Sequence, residues 1–391
     1  MSFWLRVLLL AMSICGLTAC TTRSVTTAPI TSAVLYLATQ GNTSIQAYSA
    51  TLTSGAVSAV GNLLPTGSMP LAIAVTPSLK VLFLDNNESR TISAYTINSD
   101  GTLSTANATA GNTGVMPMGM AIDPAGKFLF VANQGSSSIS AYSINGTTLT
   151  EVPGSPFTTI QPGTTVATLP TAVAVSASGN FLYVANNFTN TVSAFRIGSS
   201  GGLTTLPASP YTVGLTPSGL GTVPSGGFLY VANSGSASVS AFAICDKVVT
   251  SCANPNSPDG TLTAVAGSPF SAGIGPVAIA ADPSFNFLYV LDRQSNQISE
   301  YSYAPGSGVL AALSSPEVST GLTPFSFVII SGAIGSNVGY TLTNPTDFVF
   351  VANNGASTVS EFSLNTTSGI LTPVGTATTI NGGNPSAVAA Q

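Results

Sequence analysis

One short segment recurs seven times along this chain of 391 residues, and this repetition constrains the fold more than any other feature. Aromatic and β-branched side chains dominate each copy, as in Phe181-Leu182-Tyr183-Val184-Ala185-Asn186. The copies begin at Val34, Val81, Phe128, Phe181, Phe228, Phe287 and Phe348. Runs of this kind, bounded by Gly, Asn and Ser, predict strands that are buried on both faces. Repeats of about 40 to 50 residues are typical of propellers and solenoids.

Three further strands complete each repeat unit. An alternating strand and a weaker strand follow each copy, and a small-residue strand headed by Pro precedes every copy from the second onward. The first copy lacks this Pro-headed strand, whereas the last such strand, which starts at Pro385, has no copy after it. The C-terminal strand can therefore complete the first blade and close a ring. The sequence predicts an all-β fold, a seven-bladed β-propeller of four-stranded blades, over residues 33–391.

Composition excludes several classes of function. The chain has 8 Lys and Arg against 13 Asp and Glu, a formal net charge of −5, and no His. Because binding to a phosphate backbone needs clustered cations, we expect no nucleic-acid partner. The lack of His excludes imidazole-based catalytic triads and His-ligated metals. We expect no metal site, no cofactor and a monomeric protein.

The N-terminal sequence predicts that the protein is exported. Residues 1–19 carry Arg6 and then an apolar run that is too short to span a bilayer, which is typical of a signal peptide. The tetrapeptide Leu17-Thr18-Ala19-Cys20 resembles the lipobox of bacterial lipoproteins. This resemblance implies lipid attachment at Cys20, a flexible tether over 20–32 and a place at the cell envelope, with Thr21 favouring the outer membrane. The alternative is an ordinary signal with a chance Cys.

Two cysteines remain after the signal and the anchor, Cys245 and Cys252. In an oxidising compartment, two cysteines this close in a polar segment predict a disulfide. A metal site is the alternative, but two thiols without a nearby His fall short of the four ligands that structural zinc takes.

A family resemblance rests on the run Phe228-Leu229-Tyr230-Val231-Ala232-Asn233 and the segment Ser236-Ala237-Ser238-Val239-Ser240-Ala241-Phe242 after it. The repeat resembles the YVTN-type seven-bladed propellers of the lactonase family, which includes the propeller-type 6-phosphogluconolactonases. The resemblance implies the propeller fold and offers lactone hydrolysis as an activity. Related enzymes use His, Arg and Glu, or a divalent ion held by Glu, Asn and Asp. The first set cannot exist here, and the second has no motif that maps onto this chain.

A polar residue ends the second strand of every blade, and we expect these residues to form a ring at the channel mouth. The ring comprises Asn133, Asn186, Asn233 and Asn353, with Asp85 and Asp292 in two blades and Thr39 in the first. Such a ring could coordinate a cation or hydrogen-bond a sugar-like ligand. The structural alternative, which repetition in nearly every blade favours, is that these side chains close the following turn.

Charged residues break the symmetry of the repeat in blades two and six. They are Asp85, Glu88, Arg90, Asp292 and Arg293. If the two clusters faced each other, a carboxylate could act as general base on water while an Arg stabilised the oxyanion of an opening lactone. The alternative is a pair of solvated turns whose charges neutralise one another.

These observations favour a lipid-anchored propeller that acts as a binding or scaffold module for a glycan or an envelope protein. The alternative is a lactone hydrolase resembling 6-phosphogluconolactonase. Sequence alone leaves it open whether the protein is an enzyme.

Lipid attachment gives the first testable prediction. The variant Cys20→Ser lacks the thiol that is acylated, so it should lose labelling by radioactive palmitate and leave the membrane fraction. The matched control Cys15→Ser, within the signal, should keep both properties. An unlabelled wild-type protein would contradict the lipobox interpretation.

Overall fold

The computed structural model describes residues 32–51, 54–246, 259–283, 286–330 and 347–390. These residues form strands, turns and links in seven antiparallel sheets of four or five strands, and they contain no helix. Within these ranges, accordingly, no helix has the length and apolar character needed to cross a bilayer. The predicted signal, Cys20 and the tether up to residue 31 lie outside the described residues, so lipid attachment remains a prediction.

The sheets are the blades of the propeller, and the first four strands of each blade follow one another from the axis outward. In the five-stranded blades the short fifth strand pairs with the third strand, as the fourth does. Blade 1 comprises β32 (Pro385–Ala390), β1 (Ser32–Thr39), β2 (Ser44–Thr51) and β3 (Val57–Pro65). Blade 2 comprises β4 (Pro70–Val75), β5 (Val81–Asn86), β6 (Thr91–Ile97) and β7 (Leu103–Asn112). Blade 3 comprises β8 (Pro117–Ile122), β9 (Phe128–Asn133), β10 (Ser138–Asn145), β11 (Thr148–Glu151) and β12 (Phe157–Thr158). Blade 4 comprises β13 (Pro170–Val175), β14 (Phe181–Asn186), β15 (Thr191–Ile197), β16 (Leu203–Thr205) and β17 (Tyr211–Thr212).

The remaining blades follow the same order. Blade 5 comprises β18 (Pro217–Thr222), β19 (Phe228–Asn233), β20 (Ser238–Ile244), β21 (Leu262–Ala264) and β22 (Phe270–Ser271). Blade 6 comprises β23 (Pro276–Ala281), β24 (Phe287–Asp292), β25 (Gln297–Tyr303) and β26 (Leu310–Ser319). Blade 7 comprises β27 (Pro324–Ile330), β28 (Asp347–Asn353), β29 (Thr358–Leu364), β30 (Leu371–Pro373) and β31 (Thr378–Thr379).

Closure of the ring by the C-terminal strand is confirmed. Strand β32 pairs antiparallel with β1, with Val388 opposite Leu37 and Ala389 opposite Tyr36. Val388 is buried in the same apolar cluster as Leu35 of blade 1 and Phe350 of blade 7. The last strand of the chain thus joins the first blade and fills the space between that blade and its neighbour.

Small residues on the inner strands let neighbouring blades approach closely at the axis. A Cβ added to Gly119 would lie 2.8 Å from the carbonyl oxygen of Thr171, on the inner strand of the next blade. One added to Gly219 would lie 2.6 Å from the carbonyl oxygen of Val277. Real side chains do not tolerate such distances, which explains why these two positions are Gly.

Bulky residues fill the wider space between blades further from the axis, and several also form hydrogen bonds across the interface. The Tyr183 hydroxyl donates to the carbonyl oxygen of Gly260 in the next blade at 2.9 Å, and Tyr289 donates to that of Gly369 at 2.6 Å. Tyr36 and Tyr230 make the equivalent contact with their following blades. These four rings are fully buried, so each combines apolar packing with a satisfied hydroxyl.

Cys245 follows β20 and is buried. Cys252 lies outside the described residues, so the disulfide between the two remains a prediction.

Two buried glutamates occupy positions where most blades have Ala. Glu300 on β25 and Glu361 on β29 correspond to Ala194 on β15. The Glu300 carboxylate accepts the backbone N–H of Leu371 in the next blade, at 3.4 Å from each oxygen. Burial raises the pKa of Glu300 from 4.5 to about 7, and burial raises that of Glu361 to the same region. Both side chains therefore keep their protons to a higher pH in the folded protein than in the unfolded chain.

Ring closure predicts the effect of a charge at Val388. The variant Val388→Asp places a carboxylate in an apolar interface, so it should lower the free energy of unfolding by about 3 kcal/mol. The matched control Val166→Asp, at a side chain that is 50% exposed, should change it by less than about 0.5 kcal/mol. Urea denaturation measures both, and equal losses would contradict a closing role for β32.

The buried Glu300 predicts a pH dependence of stability. The pKa of Glu300 is raised in the folded protein, so below about pH 4.5 the carboxyl group is protonated in both the folded and the unfolded state and its burial does not lower the free energy of unfolding. As the pH rises to about 7 the unfolded state loses this proton more readily, and the folded protein loses stability. The free energy of unfolding of Glu300→Gln should therefore exceed that of the wild type at pH 8 by on the order of 1 kcal/mol and equal it near pH 4.5. Glu151→Gln, on the exposed β11, is the control. Thermal unfolding at both pH values is the measurement, and a variant less stable at pH 8 would overturn the interpretation.

Candidate functional site

The inner strands surround an axial cavity of about 570 Å³. Every blade contributes to its wall, in most cases through the residues that follow the Pro at the head of the inner strand. Examples are Met118 of blade 3, Ser218 of blade 5 and Phe325 of blade 7. A concave site shared by all blades is the usual place for a ligand in such a fold.

One face of the propeller carries the mouth of this cavity. Each inner strand begins, and each second strand ends, at the same face, since Pro117 pairs with Asn133 and Pro217 with Asn233. We name this the upper face. The internal gaps in the described residues, such as 331–346, join strand ends at the opposite, lower face. The turns and links of the upper face are therefore all described.

The amide Nδ2 atoms of the asparagines at the ends of the second strands donate hydrogen bonds to Ser hydroxyls on the third strand of the same blade. The side chains of Asn133, Asn186, Asn233 and Asn353 are all fully buried. The Asn133 Nδ2 atom donates to the Ser138 and Ser140 hydroxyls at 3.2 and 2.9 Å, and its Oδ1 accepts the N–H of Gly114 at 3.1 Å. These bonds join the second strand, the third strand and the link from the preceding blade. This structural role explains why Asn recurs at this position.

The alignment of blade 2 differs from the sequence expectation by one residue. Pro70 pairs with Asn86, just as Pro117 pairs with Asn133, so Asn86 and not Asp85 holds the repeated position. The Asn86 Nδ2 atom donates to Thr91 and Ser93 in the same manner. Asp85 corresponds instead to Ala132, one residue earlier on the strand.

Asp85 lies behind the wall of the cavity. Its Oδ1 atom accepts the backbone N–H groups of Leu71 and Ala72 at 3.1 and 2.7 Å, whereas its buried Oδ2 has no partner. Burial raises the pKa of Asp85 to about 7, against the lowering effect of those two bonds. Leu71 and Ala72 line the cavity, but the fully buried Asp85 does not. Asp85 therefore positions the wall at blade 2.

Asp292 takes the repeated Asn position in blade 6. The Ser299 hydroxyl donates to its Oδ2 atom at 2.6 Å, and its Oδ1 has no partner. Burial raises the pKa of Asp292 to about 7, and the bonds from Ser299 and the Gly273 N–H lower it. The side chain is fully buried and is not part of the cavity lining.

Glu88 and Arg90 lie on the exposed turn between β5 and β6, and neither lines the cavity. Of the five charged residues in the two predicted clusters, the cavity lining includes Arg293 alone. The structure therefore does not gather the two clusters into one pocket.

The residue after the repeated Asn or Asp lies at the upper face, where Gln134, Asn187 and Arg293 line the cavity, and we name it the rim position. It is polar in every blade and comprises Gln40, Asn87, Gln134, Asn187, Ser234, Arg293 and Asn354. The Asn87 amide donates to the carbonyl oxygen of Pro117, and that of Asn187 to Pro217, at 2.6 and 3.3 Å. These amides thus secure the inner strand of the next blade. Of the seven rim residues the sequence singled out only Arg293, although the polar character of this position in all seven blades was a usable signal.

Arg293 differs from the other rim residues because its side chain is charged. Its Cζ atom lies 5.0 Å from the ring centroid of Phe325 on the next blade, a cation–π contact. Among the described residues it has no carboxylate partner, and no other charged residue lines the axial cavity. It also borders a cavity of about 490 Å³ between blades 6 and 7, beside Leu322 and Thr323. The guanidinium therefore offers its donors where the two cavities meet.

The Arg293 guanidinium can donate hydrogen bonds to an anion or to a carbonyl oxygen. Gln134 is a second lining residue whose side chain makes no hydrogen bond within the described part of the chain. Those same residues include no group of three or more Asp, Glu or Cys side chains placed to hold a metal.

Comparison of the sequence with family models gives one match. Residues 72–153 and 153–250 match the family described as "Lactonase, 7-bladed beta-propeller". The matched part runs from the inner strand of blade 2 into blade 5. No curated protein matches the sequence.

Solved structures with the same fold cover nearly the whole chain. A candidate 6-phosphogluconolactonase from Bacteroides fragilis has a TM-score of 0.75 at 18% identity, covering 93% of this chain and 99% of its own. A protein from Lactobacillus plantarum has a TM-score of 0.72 at 19% identity, with coverages of 92% and 99%. The periplasmic gluconolactonase of Pseudomonas aeruginosa has a TM-score of 0.71 at 20% identity, with coverages of 92% and 98%. The closed ring of seven blades has the propeller fold that the description of this family names, and the family match covers residues 72–250 of the 391.

Proposed function

We propose that this protein is a lactone hydrolase whose ligand site is the mouth of the axial cavity. The observation that carries the proposal is the unpaired Arg293 guanidinium, the only charged group in the described lining. The family match supports lactones as the substrate class. The likeness to a gluconolactonase from Pseudomonas aeruginosa agrees with it at the level of the fold.

The guanidinium is suited to the charge that forms during lactone opening. Water adds to the acyl carbon, and the carbonyl oxygen becomes an oxyanion that Arg293 stabilises. The bond from the acyl carbon to the ring oxygen then breaks, and the ring oxygen takes the proton that the added water gives up and leaves as an alcohol. The acid formed loses its proton to solvent, and its carboxylate can form a bidentate pair with Arg293.

The remaining groups at the mouth orient the ligand. Among the described residues the Gln134 amide has no hydrogen-bond partner, so it can bind the attacking water or the ring oxygen. Phe325 holds the Arg293 side chain against blade 7, which limits the freedom that binding would otherwise remove. The buried Asp85 and Asp292 act at a distance, as supports of the wall and of the strand that ends at Arg293.

Export is the second part of the proposal. The signal-like N-terminus and the lipobox-like tetrapeptide before Cys20 support a lipid-anchored protein at the cell envelope. Strand β1 begins at the lower face, because Ser32 pairs with Thr51 at the opposite end from Thr39. A tether at Ser32 would therefore leave from the face opposite the cavity mouth, and the mouth would point away from the membrane.

A binding role for an envelope protein is the second candidate function, and an apolar set on the upper face favours it. We name this set the apolar crown, and it comprises Met69, Met116, Val166, Phe188, Leu215, Ile274 and Leu322. All are large and exposed, with Phe188 and Leu322 each 62% accessible. Exposed apolar residues in such number mark contact surfaces, and they fit a protein partner better than a glycan.

The hydrolase proposal predicts a large effect of Arg293. Removing an oxyanion-stabilising donor typically costs about 100-fold or more in rate, so Arg293→Ala should lower kcat/KM for lactone opening by about that factor. Arg293→Lys should recover part of it, because a point charge replaces the fork of donors. Proton release from simple γ- and δ-lactones, followed in a weakly buffered solution, is the measurement.

The matched control for this experiment is Arg196→Ala. The Cζ atom of Arg196 also lies 5.0 Å from a Phe ring centroid, that of Phe181, but Arg196 is outside the cavity lining. Its variant loses the same kind of contact and should keep the full rate. Equal rates for the wild type and Arg293→Ala would remove Arg293 from the mechanism and leave the binding role as the better proposal.

A further inference from the structure

We propose that the axial site selects a lactone, or the hydroxy acid formed from it, that carries a hydrocarbon substituent rather than hydroxyl or phosphoryl groups. The oxygens of the lactone or carboxylate lie at Arg293, and the hydrocarbon lies against the cavity wall. This inference rests on the proposed function for the identity of the group at Arg293. It goes further by assigning the rest of the ligand.

The side chains that line the cavity are mostly apolar. Met118 in blade 3 and Val277 in blade 6 hold the position that Phe325 holds in blade 7, directly after the Pro of each inner strand. Deeper in the cavity the lining includes Leu220 and Ile279. An alkyl chain that entered this space would exchange water for hydrocarbon contacts, which is favourable in proportion to the area covered.

Three hydroxyl side chains of the wall are already engaged as donors. The Thr171 hydroxyl donates to the carbonyl oxygen of Pro217 at 3.0 Å, and Ser218 donates to that of Pro276 at 2.6 Å. Ser386 makes the same contact with Pro70 at 2.5 Å. These bonds join one inner strand to the next, so giving them up would loosen the ring. A ligand with several hydroxyl groups would find few free donors and would bury polar atoms without partners.

A phosphoryl group is a poor fit for a different reason. It carries up to two negative charges, whereas Arg293 is the only charged residue in the described lining. A buried charge without a partner is strongly unfavourable, so one guanidinium matches one carboxylate or one developing oxyanion. The charge of the site therefore fits a monoanionic product.

The experiment compares ligands that differ only in the substituent. Binding of 5-hydroxypentanoate, 5-hydroxynonanoate, 5-hydroxyundecanoate and gluconate is measured by calorimetry, and turnover of the corresponding δ-lactones is measured by proton release. Each methylene that enters the cavity should improve affinity by about fourfold. We therefore expect the undecanoate to bind best, and gluconate to bind more weakly than any hydroxy acid with an alkyl chain.

A variant of Met118 and an exposed control test where the alkyl chain of the ligand lies. Met118→Gln keeps the length of the side chain but makes this part of the wall polar, so it should lower affinity for 5-hydroxyundecanoate by about tenfold and leave 5-hydroxypentanoate nearly unchanged. The control Leu79→Gln makes a similar apolar-to-polar change at a residue that is exposed, outside the lining and outside the apolar crown, and it should bind every ligand as the wild type does.

The two readouts separate this inference from the proposed function. Turnover of δ-gluconolactone at a higher kcat/KM than the alkyl lactones, with no gain in affinity along the alkyl series, would overturn the inference and leave lactone hydrolysis standing. Chain-length-dependent binding that Met118→Gln abolishes, without turnover of any lactone, would support the inference about the ligand and refute the hydrolase.

Discussion

Pairing between the last strand and the first blade is the contact on which the rest of this structure depends. Strand β32 supplies the inner edge of blade 1, and Val388 packs with residues of blades 1 and 7. Without it, β1 would present an unpaired edge toward the axis, and the space between those blades would lose part of its apolar filling. Each blade is held by its two neighbours, so a closed ring leaves no blade with an unprotected face.

Crowding at the axis shapes the site as well as the fold. Neighbouring inner strands approach so closely that Gly119 and Gly219 have no room for a Cβ. The same closeness lets the hydroxyls of Thr171, Ser218 and Ser386 reach the backbone of the next blade. Polar groups that would otherwise face the cavity are used to tie the ring together. Arg293 stands out because it contacts the next blade through the face of an aromatic ring and keeps its donors.

Much of the fold was predictable from the sequence because the evidence for it is repeated in every unit. The Pro-headed strand, the buried aromatic strand and the alternating strand recur in order, and the missing strand at one end matches the surplus strand at the other. The candidate site was less predictable because it depends on single positions. Side chains alternate between the two faces of a strand, so the one-residue difference between Asp85 and Asn86 separates a support of the wall from a member of the Asn ring.

The sequence by itself determined that seven like units form a closed ring of sheets, since periodicity and strand-forming composition are local properties that need no knowledge of distant contacts. Only the tertiary structure decided which polar side chains meet solvent in the channel. Asn133 and Asp292 are enclosed by strands and links brought from elsewhere in the chain, whereas Arg293, next to Asp292, turns toward the axis. The physical reason is that burial and hydrogen-bond partners are set by blades that contact one another across the ring, and neither can be read from one unit alone.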